Sequence, residues 1–464
     1  MIRFCFDEYY RKGDNFVFKI SDDNRSRPII YFWITKAAVL GYKNVEIIGA
    51  NDSSIIDGRF VYVSEMHWEL PDWCKKSEED PLLRPAQPIL DALKERRAII
   101  LISYAQEGRT HFKQEEEDEI SVFDKLEDLS EELDLLPDQL WFVTGNLDAK
   151  KELELWKQAR KIIEPSFILR TCEISTFGIG RIANECYYNS RGLAHMTTGG
   201  FAFEGQKCIS WKETKISLVE RKFTAPRLGE VGKLPDPKFN YGCLSRNFRF
   251  HRWWALERLY REGILEKGLV SFPKVTAYEL SLVFREPIPA DLVDLVESLP
   301  RFIDVEWITT SPNNFNAQNI AAVTLPPDQL NRDCAFELVN ETSYDGTTLV
   351  TEKTIKALYG RGAFAVNGPQ GVIEYLNSLG VETWSNYFDE SYDQVEDEIE
   401  LSGQSKRFGI LMDSIIPIIS DDSRVRKLCK SLASQRDRNF KWLIEAEKPW
   451  DRLISELEGA VSDL

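Results

Sequence analysis

The chain has 464 residues, 43% hydrophobic and 29% charged, enough for two or three domains with ordinary cores and too apolar for a wholly disordered polymer. Its 58 Lys and Arg against 75 Asp and Glu leave a formal charge of −17, a balance that repels phosphate backbones at long range and disfavours a nucleic-acid-wrapping protein. The eight cysteines form no Cys-x-x-Cys pair, the first residues hold no signal-peptide core, and no apolar run reaches spanning length; a cytoplasmic protein without a membrane span is expected.

In chain order, alternation over Asn15 to Ile20 predicts a strand, Arg27 to Leu40 a helix and Val45 to Gly49 a second strand. The continuous apolar run Ala98 to Ser103 reads as a buried strand. The acidic stretch Glu115 to Glu119 reads as a solvated loop, and Val122 to Leu133 as a helix. Leu140 to Thr144 is the next strand, followed by a helix over Ala149 to Lys161. Such alternation predicts a parallel sheet covered by helices. Between Phe223 and Phe239 the composition turns to proline and glycine, which marks a domain boundary. The pattern then restarts with strand Tyr241 to Ser245, helix Phe250 to Gly263 and strand Gly268 to Phe272. Strand Ala335 to Val339, helix Glu352 to Gly360, strand Ala363 to Val366 and helix Gly371 to Gly380 follow. Helical patterns over Gln404 to Ile419, Ser423 to Ser434 and Asp437 to Leu457 end the chain. The resulting division is 1–230, 231–435 and a C-terminal helix in 436–464 that can cross back onto the first half.

Two segments of the second half carry chemistry. In the first, a strand ends at Asn340-Glu341-Thr342, a loop follows, and Thr351-Glu352-Lys353 opens a helix. Thr351 has the chemistry of an N-cap, Glu352 stands in the first turn, and the positive end of the helix with the Lys353 ammonium can attract a phosphate. The same pattern also describes a capped helix whose first-turn acid merely complements the dipole. The second segment runs from Ser245 to Arg252 and places Arg246, Arg249, Arg252 and His251 between a strand and a helix. Guanidinium forks suit diphosphate oxygens, whereas surface arginines paired with acidic neighbours are the plainer reading. Trp253, Trp254, Leu256 and Leu259 read as core.

Taken together, Phe336 with Asn340-Glu341-Thr342, Val350-Thr351-Glu352-Lys353, the strand Ala363 to Val366 and the turn Gly368-Pro369 resemble the C-terminal half of the alpha-1,3-fucosyltransferase family, most closely its uncharacterised, often phage-encoded relatives. That resemblance covers about 130 residues, Tyr241 to Pro369. It implies a GT-B fold, two Rossmann-like α/β domains facing each other across a cleft, and an inverting transfer of a sugar from a nucleotide-diphosphate donor to a hydroxyl acceptor. It further implies that Glu352 binds the ribose and Lys353 the diphosphate, with Thr351 at the same helix start and Glu341 at the strand end. Arg252 matches the family's phosphate-binding arginine best, with Arg246 and Arg249 behind it.

An inverting transfer needs a base for the acceptor hydroxyl. The candidate is Glu107, directly after the strand Ala98 to Ser103 and before Gly108; Asn146 holds the equivalent place after Leu140 to Thr144. His195 in its glycine turn is a weaker candidate. No Asp-x-Asp at a strand end and no zinc spacing is present, and Lys and Arg can stabilise a departing diphosphate, so no metal and no cofactor besides the donor is expected. Two other readings stand beside this one. The acceptor could be a modified base in DNA, which the net charge disfavours, or the chain could be a non-catalytic nucleotide-sugar-binding or assembly protein.

Overall fold

A computed structural model describes residues 2–6, 9–12, 15–18, 45–49, 58–65, 85–104, 110–112, 120–171, 202–204, 207–209, 236–245, 247–301, 333–344, 346–359, 363–396, 405–445 and 449–464. The helix expected over Arg27 to Leu40, the acidic run Glu115 to Glu119, His195 and most of the Phe223 to Phe239 boundary lie outside the described residues. The chain divides into two α/β units, Met1–Ile182 with Asn189–Glu220 and Glu447–Leu464, and Ala183–Tyr188 with Arg221–Ala446. Among the described residues no helix is long and apolar enough to cross a membrane.

The first unit is built on a six-stranded sheet whose pairings are all parallel. Its strands are β1 (Ile2–Phe6), β4 (Val45–Gly49), β5 (Phe60–Glu65), β6 (Ala98–Tyr104), β7 (Leu140–Thr144) and β8 (Ile168–Thr171), in the order β4-β1-β5-β6-β7-β8. Residues Ala98 to Ile102 are fully buried, the signature of a strand covered on both faces. The alternating segment Asn15–Phe18 (β3) is a strand but pairs antiparallel with β2 (Tyr9–Lys12) in a separate hairpin. A further short hairpin joins β9 (Ala202–Glu204) to β10 (Lys207–Ile209). Helices α1 (Gln87–Lys94), α2 (Val122–Glu132) and α3 (Ala149–Arg160) alternate with the later strands. α2 starts in a capping box, with Ser121 Oγ accepting from Asp124 N at 3.2 Å and Asp124 Oδ2 accepting from Ser121 N at 2.8 Å. Phe123, Trp156 and Phe167 pack together beneath it with centroids 5.6–6.1 Å apart.

The second unit has a four-stranded parallel sheet of β11 (Tyr241–Leu244), β12 (Gly268–Ser271), β13 (Phe336–Asn340) and β14 (Ala363–Asn367), ordered β12-β11-β13-β14. Among the described residues its α-helices are α4 (Phe250–Arg261), α5 (Ala277–Phe284), α6 (Val293–Glu297), α7 (Glu352–Tyr359), α8 (Val372–Ser378), α9 (Lys406–Ile419), α10 (Asp422–Ser431) and α11 (Ala433–Glu445). Trp253, Trp254, Leu256 and Leu259 of α4 are buried as core, and Trp254 meets Phe408 of α9 at 5.6 Å between centroids. The helical pattern over Asp437 to Leu457 is two helices, because Pro449 cannot donate within a continuing helix and instead opens a new one, α12 (Pro449–Asp463). α12 belongs to the first unit, where Arg170 pairs with Glu456 at 2.6 Å and the Arg59 guanidinium reaches the Ser462 carbonyl.

His111 lies at the carboxyl ends of β6 and β7, ringed by Tyr104, Phe123 and Phe142, with Nε2 2.7 Å from Thr144 Oγ1. Burial pushes its pKa down to about 3. An unfolded histidine titrates near 6.5, so between those values the unfolded chain binds more protons. The contribution is therefore complete above about pH 6.5 and is lost as pH falls toward 3, by about 1.4 kcal/mol per pH unit. Glu152 accepts His111 N at 2.7 Å and is pushed up by burial, so it acts with the opposite sign above the ordinary carboxylate range. His111→Gln is expected to flatten the loss of urea stability between about pH 6 and pH 5 by that slope; parallel curves for variant and parent would remove the ring as its origin.

Candidate diphosphate site

In the second unit the chain leaves β11 for β12 on one side of it and returns to β13 on the other. The crevice outside the carboxyl ends of β11 and β13 is thus the topological switch point, where open parallel sheets bind ligands. Both chemistry-bearing segments of the sequence arrive here, one after β11 and the other after β13.

The strand ends are tied by a buried amide ladder. Asn340 Nδ2 donates to Ser245 Oγ at 3.0 Å, and Asn367 Nδ2 to Asn340 Oδ1 at 2.8 Å and the His251 carbonyl at 3.0 Å. From the end of β13 the Glu341 side chain turns back, fully buried. Its Oε1 accepts from Thr351 N at 3.1 Å and Thr354 Oγ1 at 2.6 Å; its Oε2 accepts from Thr342 N at 3.2 Å and from the Thr351 hydroxyl. Three of these donors come from Thr351 and Thr354 at the start of α7, so the carboxylate serves the orphan end of that helix. Gly368 is required beside it, since a Cβ there would lie 2.8 Å from Glu341 Cβ. Lys353, in the first turn of α7, directs Nζ to Thr342 Oγ1 at 3.0 Å and Thr351 Oγ1 at 3.2 Å.

The β11 side contributes guanidinium groups of different kinds. Arg249 occupies the N-cap position of α4 and is exposed. Arg252 is buried and donates Nη2 to the Glu341 carbonyl at 2.7 Å and Nη1 to the Asn247 carbonyl at 3.1 Å. His251 Nε2 faces that same Glu341 carbonyl at 3.1 Å, so Nε2 carries the proton of a neutral ring. Burial, with Arg252, Arg249 and Arg407 adding repulsion, pushes the His251 pKa down to about 3. Arg407, at the start of α9, is buried, donates Nη2 to the Tyr344 carbonyl at 2.7 Å and Nη1 to the Gly368 carbonyl at 2.5 Å, and lies 4.0 Å over the Tyr344 ring.

The structure thus brings Arg249, Arg252, Glu341, Thr351 and Lys353 to one end of the sheet. Arg246, the Glu352 side chain and Glu107 lie outside the described residues. Two expectations need correction. Glu341 has both oxygens occupied by internal donors and no exposed surface, so it supports the site instead of touching a donor sugar. Asn146 does not project from its strand end. It is fully buried, donating to Glu152 Oε1 at 2.9 Å while its Oδ1 accepts Asp148 N at 2.8 Å. Arg407 was not anticipated; the only sequence signal is Ser405, whose hydroxyl caps α9 by accepting Phe408 N at 3.0 Å.

No family model and no curated protein matches the chain. Among solved structures, the DNA modifying enzyme beta-glucosyltransferase, solved with and without uridine diphosphoglucose, superposes with a TM-score of 0.37 at 11% identity over 100% of both chains. A T4 phage BGT mutant in complex with UDP-glucose superposes at 0.26, with 11% identity, over 96% of this chain and 100% of that one. Likenesses this weak assign neither an activity nor a substrate to the chain.

Replacing Arg407 by lysine removes the fork that serves the Gly368 and Tyr344 carbonyls together. One buried acceptor is left unserved and the ring contact is lost, so Arg407→Lys is expected to cost about 2–4 kcal/mol in denaturant unfolding. An unchanged midpoint and slope would mean that the fork holds nothing together.

Proposed function

We propose that this chain is an inverting glycosyltransferase of GT-B architecture that moves a sugar from a nucleoside-diphosphate donor to a hydroxyl acceptor. The observation that carries the reading is the Lys353 ammonium at the amino end of α7, beside the switch point of a parallel sheet. A helix amino end and an ammonium together favour a dianionic group there, and the exposed Arg249 on the neighbouring βα corner can extend that field. The resemblance of Val350-Thr351-Glu352-Lys353 and Gly368-Pro369 to the fucosyltransferase family supports the same assignment, with Glu352 in the first turn as the ribose contact.

In this reaction the acceptor oxygen bonds to the anomeric carbon on the face opposite the departing diphosphate, and its proton passes to a base. Charge grows on the leaving oxygen as the sugar becomes oxocarbenium-like, and Lys353 and Arg249 act there because their attraction increases with that charge. Glu107 remains the candidate base on sequence grounds. Arg252 and Glu341 contribute by shaping the site.

Lys353→Ala is expected to weaken binding of a nucleoside diphosphate by about 1.5–3 kcal/mol, roughly ten- to a hundredfold in Kd, with little change in thermal stability. Calorimetry with GDP and UDP measures this; equal affinities in variant and parent would sink the assignment. For the acceptor, a mobility shift with hydroxymethylated duplex at low salt, lost steeply as salt rises, would favour DNA, and no shift would favour a glycan or small molecule.

A further inference from the structure

We infer that Glu341 is a positioning residue whose carboxylate, acting through Thr342 and Thr351, aims the Lys353 ammonium at a bound diphosphate. The inference rests on the reading of Lys353 as a phosphate ligand and adds what sets that lysine in place. Lysine carries a point charge on a flexible stem, and on an open surface it would sample many rotamers. Here Nζ sits on two threonine hydroxyls, 3.0 Å from Thr342 Oγ1 and 3.2 Å from Thr351 Oγ1. Both threonines are in turn held by one side chain, since Glu341 Oε2 accepts Thr342 N at 3.2 Å and Oε1 accepts Thr351 N at 3.1 Å.

The carboxylate, with a backbone N–H on each oxygen, also decides the direction of the Thr351 hydroxyl. It can only accept, so the Thr351 hydroxyl must give its hydrogen to Glu341 Oε2. Its remaining lone pairs then face Lys353, whose Nζ and backbone N both donate to it, at 3.2 and 3.4 Å. A glutamine cannot reproduce this. Whichever oxygen became NH2 would face a backbone N–H that cannot rotate away, Thr342 N on one side or Thr351 N on the other. A donor in place of Oε2 would also turn the Thr351 hydroxyl outward, toward the ammonium. The carboxylate thus acts on the ligand through a threonine and then the lysine, by holding the Thr342 backbone and fixing which side of the Thr351 hydroxyl is left to accept.

The test uses the full chain and inorganic pyrophosphate as the probe, with affinity read by calorimetry and folding by urea denaturation. Thr342→Val removes an acceptor of Lys353 without changing side-chain size and is expected to weaken pyrophosphate roughly five- to tenfold, the scale of one ordinary hydrogen bond lost behind the ligand. Thr342→Ser, which keeps the hydroxyl, is expected to restore the parent affinity. Glu341→Gln is expected to weaken it at least as much, and Lys353→Ala the most. If Lys353→Ala weakens binding while Thr342→Val and Thr342→Ser both bind like the parent, the positioning role is overturned and the phosphate role of Lys353 stands. If the parent does not bind pyrophosphate, or Lys353→Ala binds as the parent does, the phosphate reading itself fails and the positioning role falls with it. Should Glu341→Gln unfold, Thr351→Val, which removes the hydroxyl that Glu341 orients toward Lys353 and keeps the backbone N–H, is expected to weaken pyrophosphate as Thr342→Val does, and parent-like binding would overturn the role of Glu341.

Discussion

The second unit depends on a carboxylate placed where a helix begins. The first turn of any helix leaves backbone N–H groups without intrahelical partners, and a parallel sheet delivers its loops to that same end. Glu341 meets both conditions at once. It leaves β13 in the sheet and accepts from Thr351 and Thr354 at the entry of α7, while its own carbonyl accepts from Arg252 of α4. One residue therefore joins the ends of two βα units through opposite sides of its backbone and side chain. Burying that charge would be unfavourable without partners; with four donors around it, the cost is offset and the geometry becomes specific.

The charged groups around this point divide by what their donors already hold. Arg252 and Arg407 are buried and donate to loop carbonyls, which fixes those loops. Lys353 and Arg249 are more accessible, Lys353 on neutral hydroxyls and Arg249 at an N-cap position with no side-chain cap of its own. His251 fits the same pattern from the other side. Surrounded by three guanidinium groups and burial, it stays neutral, so its ring packs against Tyr344 as an aromatic would, with centroids 5.6 Å apart.

Legibility in the sequence followed the strength of the local pattern. Ala98 to Ser103 and Leu140 to Thr144 were readable because strands buried on both faces are apolar throughout. Ile2–Phe6 was not, because Arg3 interrupts it; in the fold that arginine leans on Glu46 of the neighbouring strand at 3.2 Å. The lysine and threonine at the start of α7 were legible from cap chemistry. What could not be read was occupancy. Glu341 and Asn146 stand at strand ends, where sequence reasoning expects ligand contacts, and in both cases partners several residues away, Thr351 and Glu152, turn the side chain inward. Arg407 was hidden for the complementary reason, since Ser405-Lys406-Arg407 reads as an ordinary helix entry until Tyr344 and Gly368 are brought beneath it by the fold.

The glycine at 368 shows how the two kinds of information meet. A Gly-Pro turn after a strand is a local signal, explained by turn chemistry alone. In the structure its lack of a Cβ serves a distant residue, because Glu341 Cβ and Cγ would stand 2.8 and 3.0 Å from any side chain there. The carbonyl of the same glycine accepts from Arg407. The turn after β14 is thus pressed on one side by the acid that organises α7 and held on the other by the arginine that opens α9. A change at Gly368 would press on Glu341 and on the Arg407 fork at once, and through Thr342 and Thr351 the displacement of Glu341 would be passed on to the Lys353 ammonium.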